Sequence, residues 1–165
     1  MSEIVLRLIN EDELAAAIKL EQSCYTEEAA ATLAGFQYRY EHYRPYFWSA
    51  WIGDQIVGIT NGIRTAQNAC GDEMKGAQDD LLEGSNFCVL TVAVDEGHRK
   101  KGIGTLLLRR LIQQCEESGV DTIILMCEQH LISFYEAERF ELRGVSSSTH
   151  GGIVWYEMSR ALHIM

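Results

Sequence analysis

The chain has 165 residues, 47% of them hydrophobic and 23% charged; this is the balance of a globular protein with a buried core, and it excludes a disordered or fibrous chain. A formal net charge of −10 speaks against DNA or RNA as a partner, because phosphate neutralisation needs an excess of Lys and Arg on the binding face. It would attract a cationic amine, although a solvated acidic surface needs no function. The longest apolar run is far below the roughly 20 residues that span a bilayer. Met1 to Ile4 carry no basic patch ahead of an apolar stretch. The cysteines Cys24, Cys70, Cys88, Cys115 and Cys127 form no Cys-x-x-Cys pair and fit free, reduced thiols. A single cytoplasmic domain covering 1–165 is therefore expected, with no membrane contact, as a monomer or homodimer.

Ile4 to Ile9 reads as a first strand. Asn10 stands three residues ahead of Glu13, the spacing of a capping box, so a helix should follow through Gln22 with Leu14, Ala17 and Ile18 inward. Thr26-Glu27-Glu28 offers a second helix start, leading into Leu33, Phe36 and Tyr40. After Pro45, the runs Tyr46 to Ile52 and Gln55 to Ile63 meet through Gly53-Asp54 and predict a hairpin. Thr65 to Asn86 is polar and reads as a long surface loop, often a functional kind of segment. Phe87 to Val94 is the most apolar strand, as a central strand buried on both faces would be.

From Gly104 an amphipathic helix runs to Ser118 with Leu107, Leu108, Leu111 and Ile112 inward, and stops at Gly119. Val120 to Cys127 is the next strand; a short helix over Leu131 to Ala137 and strands Phe140 to Arg143 and Ile153 to Met158 close the series. The order is mixed α/β. The strand, helix, strand run from Phe87 to Cys127 predicts two parallel strands joined by a right-handed crossover.

The turn Arg99-Lys100-Lys101-Gly102-Ile103-Gly104 falls directly after the buried strand and on the first turn of the amphipathic helix. Glycines without Cβ let backbone N–H groups approach phosphate oxygens, and the helix dipole with three cations adds positive potential. A solvated basic turn is the plainer reading of those cations. Gly97 to Gly102 has the glycine spacing of a nucleotide P-loop, yet Ile103 and Gly104 stand where Lys and Ser/Thr are required. Leu107 stands where a dinucleotide fingerprint has its third glycine. A diphosphate outside both classes is the guest that remains.

Val92-Ala93-Val94 followed by Arg99-x-x-Gly102-x-Gly104 resembles the acetyl-CoA signature of the GNAT acetyltransferase superfamily. Leu125-Met126-Cys127-Glu128, Phe134-Tyr135 and Arg139-Phe140 are similar to its serotonin (arylalkylamine) N-acetyltransferase branch, and Trp155-Tyr156-Glu157-Met158 adds weaker support. The resemblance covers Phe87 to Met158. It implies the GNAT fold, with about seven strands and about four helices, in which Phe87 to Val94 and Val120 to Cys127 splay apart to admit the pantetheine arm. It implies that Val92, Ala93 and Val94 offer backbone groups to pantetheine, that Arg99, Lys100, Lys101, Gly102, Ile103, Gly104 and Thr105 surround the pyrophosphate, and that Tyr135 lies near the sulfur as acid for the departing thiolate.

The activity so implied is acetyl transfer from the co-substrate acetyl-CoA to a primary amine, an arylalkylamine- or polyamine-like small molecule, in a ternary complex. Acetylation of a protein N-terminus or lysine, or a non-catalytic acetyl-CoA-binding module, are the alternatives. Aligning the arginine and glycines places Cys88 and Leu90 where the vertebrate serotonin enzymes carry two histidines. Glu28, in Glu27-Glu28-Ala29, occupies a place comparable to a glutamate of the insect enzymes and is the base candidate; a favourable charge at a helix N-terminus is its other reading. His130 and His150 read as surface or hydrogen-bonded histidines, and Cys88 and Cys127 as small buried hydrophobes. Phe36, Tyr38, Tyr40, Tyr43, Tyr46 and Phe47 form an aromatic cluster that serves either an acceptor pocket or the core. No group of side chains has metal-ligand spacing.

Overall fold

The computed structural model describes residues 3–25, 30–67, 84–148 and 152–162. Thr26-Glu27-Glu28, His150, Cys70 and most of the expected loop between Thr65 and Asn86 lie outside the described residues.

Strand β1 spans Ile4–Leu8. The amide of Asn10 then donates to Glu13 Oε1 at 2.9 Å, closing the expected capping box. A 3₁₀ turn over Glu11–Glu13 opens into helix α1, Leu14–Cys24. Helix α2, Leu33–Tyr43, is capped by Thr32, whose hydroxyl accepts from the Gly35 amide at 3.0 Å; the start signal of this helix is Thr32 and not Thr26. Strands β2, Trp48–Ile52, and β3, Gln55–Thr65, form the expected hairpin about Gly53, at φ +58°.

Strand β4 is Asn86–Val94, helix α3 Ile103–Glu117 and strand β5 Thr122–Cys127. Helix α4, Ile132–Glu136, leads into β6, Glu141–Val145, and β7, Tyr156–Ala161. The last strand begins three residues later than Ile153, because Tyr156, paired with both Cys127 and Val145, is the first rung of its ladders.

The strands form one seven-stranded sheet in the order β1-β2-β3-β4-β5-β7-β6. Every neighbouring pair is antiparallel except β4 and β5, which are parallel as the α3 crossover requires. The helices cover both faces. A Cβ on Gly58 would come within 2.8 Å of Leu107 Cδ1 on α3, whereas its neighbour Ile59 packs with Leu14, Ile18 and Phe36 of α1 and α2. Further along α3, Leu108, Leu111, Ile112 and Cys115 cluster with Phe87, Ile123 and Leu125.

Phe36 and Phe47 are fully buried, their rings meeting edge to face at 5.4 Å, and Tyr38, Tyr43 and Tyr46 are no more than 6% exposed. Most of the aromatic cluster is therefore core. Cys24, Cys115 and Cys127 are free thiols, whereas Cys88 is disulfide-bonded; the expectation of reduced thiols fails at Cys88.

Candidate active site

β4 and β5 stay together only through Asn86↔Thr122, Phe87↔Ile123 and Cys88↔Ile124. Beyond these pairs β4 keeps its ladder to β3 as far as Val94 and β5 keeps its ladder to β7 as far as Cys127, but the two no longer meet. An unpaired strand edge presents backbone N–H and C=O groups that need partners. The direction of these groups is set at Val94, whose carbonyl accepts from Arg99 Nε at 3.1 Å and from Cys24 Sγ at 3.5 Å. Arg99 and Cys24 both line the gap. Backbone groups alternate sides along a strand, so the amide of Val92, two residues earlier, also faces the gap.

The parted strands open into a cleft of about 540 Å³. A smaller pocket of about 30 Å³ shares Tyr25, Val92, Glu128, Leu131 and Tyr135 with it. Val92, Ala93, Val94, Arg99, Lys100, Gly102, Ile103, Gly104, Thr105 and Tyr135 all border this one cleft. Lys101 points to solvent and is not among its walls. Ile103 contributes backbone only, since its side chain packs against Ala50, Val57 and Leu107. Glu28 lies outside the described residues.

At the mouth, Gly102 precedes α3 with φ +81° and Lys100 adopts φ 65°, a left-handed conformation that costs a non-glycine residue about 1 kcal/mol or more. The turn so formed leads into α3, whose first intrahelical bond runs from the Leu106 amide to the Gly102 carbonyl at 3.0 Å. The N–H groups of the preceding turn have no partner within the helix. They border the cleft together with Lys100, so the donors on offer are backbone amides and cations, the set that a pyrophosphate requires. The unpaired edge of β4 suits an amide-bearing arm in the same way.

Deep in the cleft Tyr135 is 6% exposed. Its ring is fixed edge to face between Phe134 at 5.0 Å and Phe140 at 5.7 Å. Burial, reinforced by Tyr25 and Cys127, holds its phenol well above the usual tyrosine pKa. Burial also pushes the Cys127 thiol up to about 11, which disarms it as a nucleophile. Cys88 and Leu90 are buried strand residues, so no histidine pair stands there.

His130, which reads as a surface histidine, borders the cleft, as do His98 and Tyr25, which no sequence motif marks. His98 Nδ1 lies 2.7 Å from Asp95 Oδ2. Tyr25 ends α1, and its phenol is raised by burial and by the nearby Glu21. Nor does any sequence motif mark Glu21, Arg39, Asn61 and Thr91, charged or polar side chains no more than 1% exposed. Thr91 Oγ1 donates to Glu21 Oε1 at 2.5 Å; Arg39 Nη1 donates to Asn61 Oδ1 at 2.7 Å and reaches Thr91 Oγ1 at 3.3 Å. Burial lowers the Arg39 pKa to about 10, opposed by Glu21, so the guanidinium stays charged at neutral pH.

A mixed sheet parted at one parallel pair, with a glycine turn at the mouth and a buried phenol at the floor, defines an acyl-CoA transferase class of fold. The family model of the GNAT acetyltransferases matches residues 14–139, and the chain belongs to that family. Solved structures agree in fold. The loading GNATL domain of CurA from Lyngbya majuscula superposes with a TM-score of 0.81 at 15% identity, over 96% of this chain and 98% of that one. Arabidopsis thaliana Naa50, in complex with the bisubstrate analogue CoA-Ac-MVNAL, gives 0.74 at 16% identity, over 96% and 99%. The ribosomal-protein-S18-alanine N-acetyltransferase of Escherichia coli gives 0.69 at 16% identity, over 99% and 96%. A search of curated proteins returned no match.

Proposed function

We propose that this chain transfers the acetyl group of acetyl-CoA directly to a primary amine, with both substrates held at the β4–β5 cleft. The observation that carries the reading is the parting of β4 from β5 beyond Cys88 and Ile124, with the Gly102–Gly104 turn and Tyr135 on the same cleft. Acetyl-CoA supplies an acyl carbon activated by its thioester. The edges of Val92 and Val94 receive the pantetheine arm, and Lys100 with the amides of Gly102 to Thr105 receives the pyrophosphate. The amide of Val92 is positioned to stabilise negative charge on the carbonyl oxygen.

An aliphatic amine of pKa about 10 is neutral in about one molecule in a thousand at neutral pH, so the acceptor must lose a proton before it attacks. We assign that role to Glu28; in Glu28→Gln the pH–rate profile should move to the alkaline side, and an unchanged profile would remove Glu28 from the mechanism. Burial raises the Tyr135 pKa, so the phenol holds its proton at neutral pH and has one to give to the departing sulfur.

Arylalkylamines and polyamines come first among acceptors, since the net charge of −10 draws cationic amines. Burial of Phe36, Phe47 and Tyr43 removes the cluster as an aryl pocket, which raises a second reading, a peptide α-amino group. The fold likeness to Naa50 supports it. Thiol release from acetyl-CoA across tryptamine, phenylethylamine, spermidine and short peptides separates the two. Tyr135→Phe should lower kcat on the order of 100-fold with acetyl-CoA affinity nearly unchanged. Tight binding without turnover on any amine would leave only a cofactor-binding module, and wild-type rates in Tyr135→Phe would take that phenol out of the reaction.

A further inference from the structure

Four elements meet around one buried carboxylate. Glu21, on the last turn of α1, has no solvent exposure. One of its oxygens accepts from Thr91 Oγ1 on β4 at 2.5 Å, and the other accepts from the amide of Ala31, on the approach to α2. The Thr91 hydroxyl is also within 3.3 Å of Arg39 Nη1 on α2, which is anchored to Asn61 on β3. The Thr91 carbonyl accepts from Thr60 Oγ1 at 2.8 Å. Thr91 is thus held at its side chain by α1 and α2 and at its carbonyl by β3.

Stability does not explain this arrangement. A buried charged network is commonly no more stabilising than apolar side chains of the same volume, because desolvation cancels most of the attraction. Position explains it better. Thr91 lies on the stretch of β4 that has left β5, and a strand released from one neighbour loses half of the ladder that would hold it in register. The next residue is Val92, whose amide faces the cleft. Four side chains replace, on the α1–α2 face, the restraint that the missing ladder would give.

We propose that Glu21 is a positioning residue which, through Thr91, fixes the Val92 amide relative to Tyr135 for acetyl transfer. The inference rests on the acetyltransferase reading above. Glu21 has no solvent exposure, and the Thr91 hydroxyl is its hydrogen-bonded link to β4. A misplacement of about 1 Å in such a donor costs on the order of 100-fold in rate, so the effect falls on kcat and spares the binding of acetyl-CoA, whose phosphates are held at the far end of the cleft.

The test compares Thr91→Val, Thr91→Ser, Glu21→Gln and the Glu21→Gln/Thr91→Val double variant, with acetyl-CoA as donor and, as acceptor, the fastest of tryptamine, phenylethylamine, spermidine and a short peptide. Thr91→Val, equal in shape but without the hydroxyl, should lower kcat on the order of 100-fold with KM for acetyl-CoA within about threefold. Thr91→Ser should restore kcat to within about threefold of wild type. The double variant should be no slower than the worse single one, as expected of two groups acting through one hydrogen bond. Should Glu21→Gln not fold, the two Thr91 variants decide. Wild-type kcat in Thr91→Val, failure of Thr91→Ser to rescue, or an effect confined to KM would overturn the proposal. A wild-type protein that turns over no acceptor would instead overturn the acetyltransferase reading beneath it.

Discussion

Gly104 sits at the first turn of α3 with space beside it: a Cβ there would meet Phe134 Cζ at 3.5 Å and Val94 Cγ2 at 3.6 Å, ordinary contact distances. Alanine is the better helix former by about 1 kcal/mol, so Gly104→Ala should leave the melting temperature unchanged or raise it. The added methyl enters the cleft where a phosphate must come close to backbone, so KM for acetyl-CoA should rise on the order of tenfold. Paired melting and kinetic measurements check both; an unchanged KM would place the phosphates elsewhere. The position of this glycine on the first turn of the helix was legible from the sequence. Glu21 and Arg39 were not, because a charge in an amphipathic helix reads as part of the wet face. Only the meeting of α1, α2, β3 and β4 buries them together.

At the scale of single elements, the junction between β1 and α1 is secured by charge. Arg7 donates to Glu13 at 2.8 Å while Glu13 also accepts from the Asn10 amide at 2.9 Å. The Arg7 bond, then the Asn10 bond, hold the Glu13 carboxyl below its ordinary value, although burial opposes them. A carboxyl lowered on folding stabilises the protein at every pH above its unfolded value of about 4.3, and that contribution disappears as pH falls through the folded value. Arg7 is more than a third exposed, so the pair is worth about 0.5 kcal/mol. Glu13→Gln should therefore melt about 1–2 °C lower near neutral pH. The difference should close as pH falls below the unfolded value and through the lowered folded one; an equal difference at neutral and acid pH would mean that charge is not what the bond contributes. The Asn10–Glu13 box was readable because capping is local, and so was the Gly53 hairpin. The start of α2 was misplaced because Thr26 and Thr32 carry the same capping chemistry, and only the bond from Gly35 tells them apart.

Over the whole molecule, the parallel pairing of β4 with β5 followed from the helix between them, but the insertion of β7 between β5 and β6 did not. The first is dictated by a crossover of fixed hand. The second is a choice of long-range partner, to which the local pattern of Glu141–Val145 and Tyr156–Ala161 is indifferent. The gap between β4 and β5 could be expected only through the family resemblance, since nothing in an apolar run such as Phe87 to Val94 shows where its ladder stops. The gap is also the feature on which the functional account stands: a sheet opened at its centre is costly unless another molecule completes it. Amide hydrogen exchange with and without acetyl-CoA tests this most directly. The account predicts that the cofactor slows exchange at the cleft-facing amides of β4, Val92 foremost, and at the first turn of α3 from Ile103 to Thr105. Unchanged exchange at Val92 in the presence of saturating acetyl-CoA, or protection confined to another face of the sheet, would contradict it.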